Sequence, residues 1–179
     1  MRAFALALLV TAFTGFAQDK AQVNVDVGVS VDPSLRAAVE RFYAALEDED
    51  VAAYLSLWAS TAQRPRPEQL KYLFDSGDDK FSQLTIRRVN TDGDRTVVRA
   101  SVTRARTSAT ARRPDGLPMT FHMAMNVALT FVREGSEWKL VREGSAMDAL
   151  ADALIAAPTS EDREKLIATE PDMSATTTS

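Results

Sequence analysis

Residues 32–58 read DPSLRAAVERFYAALEDEDVAAYLSLW, a stretch that resolves into two short amphipathic helices joined at Glu47-Asp48-Glu49-Asp50. Asp32-Pro33 supplies an N-cap followed by a proline at the first helical position, where its missing N–H costs nothing. Leu35, Val39, Phe42 and Leu46 then recur at helical spacing and form one apolar stripe. Asp50 is placed to cap a second helix whose Val51, Tyr54, Leu55 and Trp58 share a face. The segment Arg64-Pro65-Arg66-Pro67 breaks the chain, and Pro67 opens a third helix with Leu70, Leu73 and Phe74 turned inward.

From Phe81 onward the apolar period changes from 3.6 to 2, which marks strands. Ser82 to Asn90, Arg95 to Arg106, Met119 to Arg133 and Glu137 to Glu143 are expected as four strands. Asp92-Gly93 and Gly135 mark tight turns, and Thr107 to Pro118 a longer polar loop. Met119, Phe121, Met123, Met125, Val127, Leu129 and Phe131 all point one way, and that face has to be covered by the helices. Met147, Leu150, Leu154 and Ile155 outline a fourth helix that Pro158 ends. A short acidic helix over Ser160 to Thr169 and a disordered Ser/Thr-rich tail complete the chain. Upstream, Val23, Val25, Val27, Val29 and Val31 alternate with polar or small residues, so residues 18–31 are either an edge strand or a linker. The expected fold is therefore α+β, with N-terminal helices packed on a curved antiparallel sheet in one domain over residues 32–157.

The 179 residues carry a formal charge of −4 and no cysteine. An acidic chain lacks the basic face that nucleic acid selects, and the missing thiols exclude disulfides, thiolate metal sites and a lipidated N-terminus. Residues 1–17 have the layout of a secretory signal peptide: Arg2, an apolar run from Ala3 to Phe13, and small residues before Gln18. That run is shorter than the ~20 residues a bilayer requires. The expected product is a secreted or periplasmic bacterial protein with no membrane segment after cleavage.

Chemistry is far less legible. His122 is the only histidine, and strand alternation sets it opposite the apolar face, so it is expected on the sheet surface. The acidic run Glu47 to Asp50 lacks the ligand spacing of a calcium loop, and no phosphate-cradling or nucleophile motif occurs. No metal or cofactor is expected. Arg88, Arg104, Arg106 and Arg142 lie on neighbouring strands, and by simple alternation some share the inward face. They suit either a carboxylate or phosphate ligand at a cavity mouth or cross-strand pairing with acidic side chains.

The helix Val39-Glu40-Arg41-Phe42-Tyr43-Ala44-Ala45-Leu46, the acidic turn, Leu57-Trp58 and the hairpin Phe131-Val132-Arg133-Glu134-Gly135-Ser136-Glu137-Trp138-Lys139-Leu140 resemble the cone-shaped nuclear transport factor 2-like superfamily, which includes SnoaL-type cyclases and ketosteroid isomerases. More narrowly, Leu84 to Val89, that hairpin and Ser160 to Leu166 are similar to exported bacterial modules that precede tetratricopeptide-repeat and caspase-like CHAT domains. The resemblance implies a cavity between helices and sheet, lined here by Phe42, Trp58, Leu70, Phe74, Phe121, Met123 and Met125. It also implies where isomerase groups would fall: the hydrogen-bonding tyrosine on Phe42 and the base near Arg66, neither of which has the required chemistry. Tyr43 follows Phe42, but a helical step of 100° is expected to turn it off the cavity face. A non-catalytic binding module is therefore expected, with a small apolar ligand or a protein as partner and a homodimer through the sheet face around Ala124, Asn126, Ala128 and Thr130. The alternative is a SnoaL-like enzyme on a small apolar substrate, using Tyr54, Tyr72 or His122 as its polar groups.

Overall fold

The computed structural model describes residues 23–168; the expected leader and the Ser/Thr-rich tail lie outside the described residues. Helix α1 (Pro33–Glu47) begins where Asp32 accepts hydrogen bonds from the Ser34 and Leu35 N–H groups, at 2.7 and 3.4 Å. It ends in the acidic turn, with Glu49 at φ 55°, and Asp50 caps α2 (Val51–Ser56) by accepting from the Ala53 N–H at 2.9 Å. Helix α3 (Pro67–Asp75) completes the inner layer. The sequence periodicities therefore give three helices where they are expected.

Five strands follow the order β1-β2-β3-β4-β5: β1 (Asn24–Val25), β2 (Gly77–Asp92), β3 (Arg95–Arg112), β4 (Pro118–Glu134) and β5 (Glu137–Ser145). All neighbours are antiparallel except the short β1, which runs parallel to β2 at Thr85 and Ile86. Only two residues of the alternating valine segment thus join the sheet; Val23 is buried there and Val27 is fully exposed. The expected loop after Thr107 is mostly strand, because β3 continues to Arg112 and pairs with Pro118.

Three irregularities decide which side chains face the helices, the first a shift on β2 between Ser82 and Thr85 that sets Asp79 and Phe81 on the same face as Leu84 and Ile86. Antiparallel partners share a face, and Val98, Leu129 and Glu143 form one inward row, with Ile86, Ala100 and Val127 in the next. On β2 the register shifts between Ile86 and Arg88, so Arg87 is the extra residue. On β5 it shifts between Leu140 and Arg142, leaving Val141 as the extra one. Each bulge inverts the alternation beyond it. Arg88 and Arg142, which unbroken alternation sends inward, therefore face outward opposite Arg99 and Thr130, and Glu143 faces inward in their place.

The core lies between α1 and the inner sheet face, with Phe42, Leu84, Ile86, Val98, Leu129, Phe131 and Leu140 all at most 2 % exposed. The β4–β5 hairpin locks the start of α1: Arg133 pairs with Asp32 at 3.0 Å and stacks 4.4 Å above the Trp138 ring, whose N–H donates to Ser34 Oγ at 3.0 Å. Trp58 bridges to Leu140, so residues 57–59 cover the outer edge of β5. Helix α4 (Ala146–Ala156) packs on the opposite, outer sheet face, and α5 (Ser160–Ala168) packs against α4. Ala128, Ala146 and Leu150 are buried in that contact. The part of the outer face around Ala128 and Thr130 expected to pair two copies is therefore occupied by the chain's own helix. Among the described residues no helix is long and apolar enough to cross a membrane.

Gly77 turns the chain from α3 into β2 at φ 151°, and a Cβ there would lie 2.4 Å from the Thr107 carbonyl oxygen. Gly77→Ala is expected to destabilise the fold, since backbone and not a flexible side chain blocks the methyl group. Phe42→Ala, which empties the centre of the core, is expected to cost about 3–5 kcal/mol. Urea denaturation followed by circular dichroism measures both.

Candidate functional site

A cavity of about 80 Å³ opens between α1, α3 and the inner face of β2–β5. Phe42 and Leu46 of α1, Phe81 of β2, Val102 of β3, and Met125 and Leu129 of β4 make its apolar walls. Tyr43, Asp79, Arg104 and Glu143 bring polar atoms to it. Tyr43 is 3 % exposed and lies against Phe81, ring centroids 5.0 Å apart. It therefore stays with Phe42 on the buried side of α1, contrary to the expected rotation off that face. The curved sheet wraps a wider arc of the helix than a single stripe, so two consecutive residues can both be inside.

Apart from the Tyr43 hydroxyl, the polar atoms form two groups. In the first, the Tyr54 hydroxyl donates to Glu143 Oε2 at 2.7 Å. Tyr54 is 2 % exposed and lies between Phe42 and Trp58, at centroid distances of 5.6 and 6.1 Å. Glu143 sits at the rim: part of the residue is open to solvent while protein crowds its carboxylate. Loss of water raises the Glu143 carboxyl above the ordinary value; the Tyr54 hydrogen bond and the Arg104 charge partly oppose this. Burial and then the nearby Glu143 charge push both Tyr43 and Tyr54 upward, so both phenols stay protonated at neutral pH.

In the second group, Arg104 grips the buried Asp79 with two parallel bonds, Nε to Oδ1 at 2.7 Å and Nη2 to Oδ2 at 2.6 Å. Arg106 adds Nη1 to Oδ2 at 2.8 Å and donates Nη2 to the Leu73 carbonyl, also at 2.8 Å. A bidentate guanidinium–carboxylate pair is strong and geometrically specific. Of the two roles the sequence leaves open for these arginines, Arg104 and Arg106 take the pairing with an acidic side chain of a neighbouring strand.

Of the pocket residues expected from sequence, Phe42 and Met125 line the cavity. Trp58, Leu70 and Phe74 are buried elsewhere in the core, and Phe74 borders a separate hollow beside Gly77. Phe121 and Met123 are each 50 % exposed: they point inward by parity, but β4 outruns the helices that were to cover them. Among the polar candidates, Tyr54 reaches the site, Tyr72 is 78 % exposed, and His122 is exposed on the outer face. Asp79 and Glu143 are the residues that reading the sequence misses. Asp79 alternates in phase with Phe81, but β2 starts five residues before the expected Ser82, and Glu143 is hidden by the bulge at Val141.

A wider groove of about 330 Å³ lies on the outer face between α4 and the sheet, beside Arg95, Thr130, Arg142 and Asp148. Its charges are largely committed: Arg142 pairs with Asp152, and Asp148 is bound to the Ser145 cap. Among the described residues no cluster of three or more His, Cys, Asp or Glu is placed to hold a metal ion.

The pH dependence of stability reports on Glu143. A carboxyl raised in the folded state contributes stability that is complete below the ordinary value of 4.5 and is lost as pH rises through the higher folded value. The parent protein is therefore expected to gain stability relative to Glu143→Gln as pH falls from 7 toward 4. Denaturant titrations of both proteins at the two pH values check the sign.

No family profile matches the sequence, and no curated protein sequence does. Solved structures do share the arrangement. The intermembrane-space region of the chloroplast protein ARC6 superposes with a TM-score of 0.50 at 12 % identity, covering 65 % of this chain and 98 % of that one. A nuclear transport factor 2-like superfamily protein from Salmonella enterica has a TM-score of 0.48 at 11 % identity, over 62 % of this chain and 87 % of that one. A ketosteroid isomerase-like protein from Erwinia carotovora gives 0.46 at 17 %, over 62 % and 90 %. The described part of the chain has an α+β fold in which helices pack on a curved, mostly antiparallel sheet, an arrangement shared with that ARC6 region.

Proposed function

We propose that this protein is an exported, non-catalytic binding module whose inner cavity takes at most a very small apolar ligand. The observation that carries this reading is the pairing of the charged groups at the cavity with side chains of the same chain: Glu143 with Tyr54, and Asp79 with Arg104 and Arg106. A binding or catalytic cleft for a small molecule usually offers ~300–1,000 Å³ and polar groups aimed at empty space. Here the space is about 80 Å³, and side chains fill the rest. The expected leader and the likeness to exported modules ahead of tetratricopeptide-repeat and CHAT domains support export and a protein partner.

One observation favours a second reading. A raised carboxyl hydrogen-bonded to a buried tyrosine is a base and a donor at one site, which are the parts that proton transfer next to a carbonyl needs. An enzyme of SnoaL-like type would use Glu143 and Tyr54 for this, not the Tyr72 or His122 that the sequence offers.

Native mass spectrometry of the protein purified without added ligand separates the two. The binding-module reading predicts either an unliganded mass or one small apolar adduct that survives unchanged on standing. A retained molecule that the protein converts to another species, with conversion abolished by Glu143→Gln, would overturn it in favour of the enzyme.

A further inference from the structure

The sheet has three exposed or potentially exposed edges, and two of them are protected. The outer edge of β5 is met by residues 57–59, with the Leu140 N–H donating to the Leu57 carbonyl at 2.7 Å and the Ala59 N–H to the Leu140 carbonyl at 2.8 Å. The outer edge of β2 is met by β1 and carries a bulge at Gln83, whose φ is 53°. The third arises inside the sheet order. β5 ends at Ser145, opposite Val127, whereas β4 starts at Pro118. Among the described residues, β4 from Pro118 to Asn126 therefore has β3 on one side and no strand on the other.

That open edge lacks the usual defences. Natural edges are kept from pairing by charged side chains, bulges or very short length. This one spans about 30 Å at the ordinary strand rise, its pairing with β3 is regular from Thr120 to Asn126, and no Lys, Arg, Asp or Glu occurs between Pro118 and Val132. Thr120, Phe121, His122, Met123, Ala124 and Asn126 are all exposed.

We propose that the β4 edge pairs with the same edge of a second copy, antiparallel about a two-fold axis at His122, to make one continuous sheet across a dimer. Two observations choose a second copy as the occupant. First, the free length is symmetric about His122, because β5 blocks it beyond Asn126 and the hairpin turn limits it before Pro118. Second, antiparallel partners share a face, so this register sets Phe121 against Met123 of the other copy, twice. These two side chains are each half exposed on the inner face, and each would be covered. Thr120 would face Ala124, again without charge. Isologous contacts of this kind are the commonest route to a symmetric dimer.

The test is sedimentation velocity of the purified protein over a wide concentration range, with two variants. The parent is expected to sediment as a dimer. His122→Lys sets two like charges directly opposite each other at the axis and is expected to weaken the dimer at least about tenfold. Thr120→Lys with Ala124→Lys is expected to leave a monomer. All these positions are solvent-exposed, so the circular dichroism spectrum of the monomer stays as in the parent. A parent protein that remains monomeric, including one that captures only unrelated extended peptides along this edge, overturns the proposal. So does a dimer unmoved by either variant, because its contact must then lie elsewhere.

Discussion

Strands β3 and β4 have 18 and 17 residues, while the helices on their inner face have 15, 6 and 9. A strand rises about 3.3 Å per residue and a helix about 1.5 Å. The two strands therefore run for more than twice the length of the longest helix that can cover them. The core fills where helix and sheet overlap, around Phe42, Leu84, Val98 and Leu129, and it has to stop where α1 stops. The cavity, the arginine–aspartate cluster and the uncovered half of β4 all lie at or beyond that boundary.

A boundary of this sort needs polar groups that can face protein on one side and water on the other without being left unpaired. Asp79 does this with two arginines, one of which also ties down the last turn of α3 through the Leu73 carbonyl. Glu143 does it through Tyr54, with its remaining surface toward solvent. Charge at the mouth is thereby neutralised inside the molecule, and the apolar space left behind it is small. The same length mismatch explains why Phe121 and Met123 lie bare on a face that further back is sealed.

The helices and most of the sheet were legible from residue spacing. Capping residues Asp32 and Asp50, the stripe from Leu35 to Phe42 and the alternation of β4 act over a few neighbours, and local rules capture them. Strand lengths were not legible, because Gly77 to Asp79 join β2 only through pairing with Arg106 to Ser108. Nor were the bulges at Arg87 and Val141. Each is one extra residue with no glycine or proline to announce it, yet each exchanges the residues that face inside and outside. Arg88 and Arg142 were misplaced and Glu143 overlooked for that reason, while Arg104 and Arg106, on an unbroken stretch of β3, lie where alternation sets them. Tyr43 was misplaced because a curved sheet buries more of a helix than its apolar stripe implies.

The charged groups at the cavity are committed to side chains of the same chain and not held ready for a substrate. A double-mutant cycle between Asp79→Ala and Arg104→Ala in the ligand-free protein, read by urea denaturation, tests this commitment most directly. Mutual commitment predicts that the double variant is more stable than the sum of the single losses allows, with a coupling of roughly 1–3 kcal/mol. Additive losses, with no coupling, would contradict the account and return both residues to the role of ligand-binding groups.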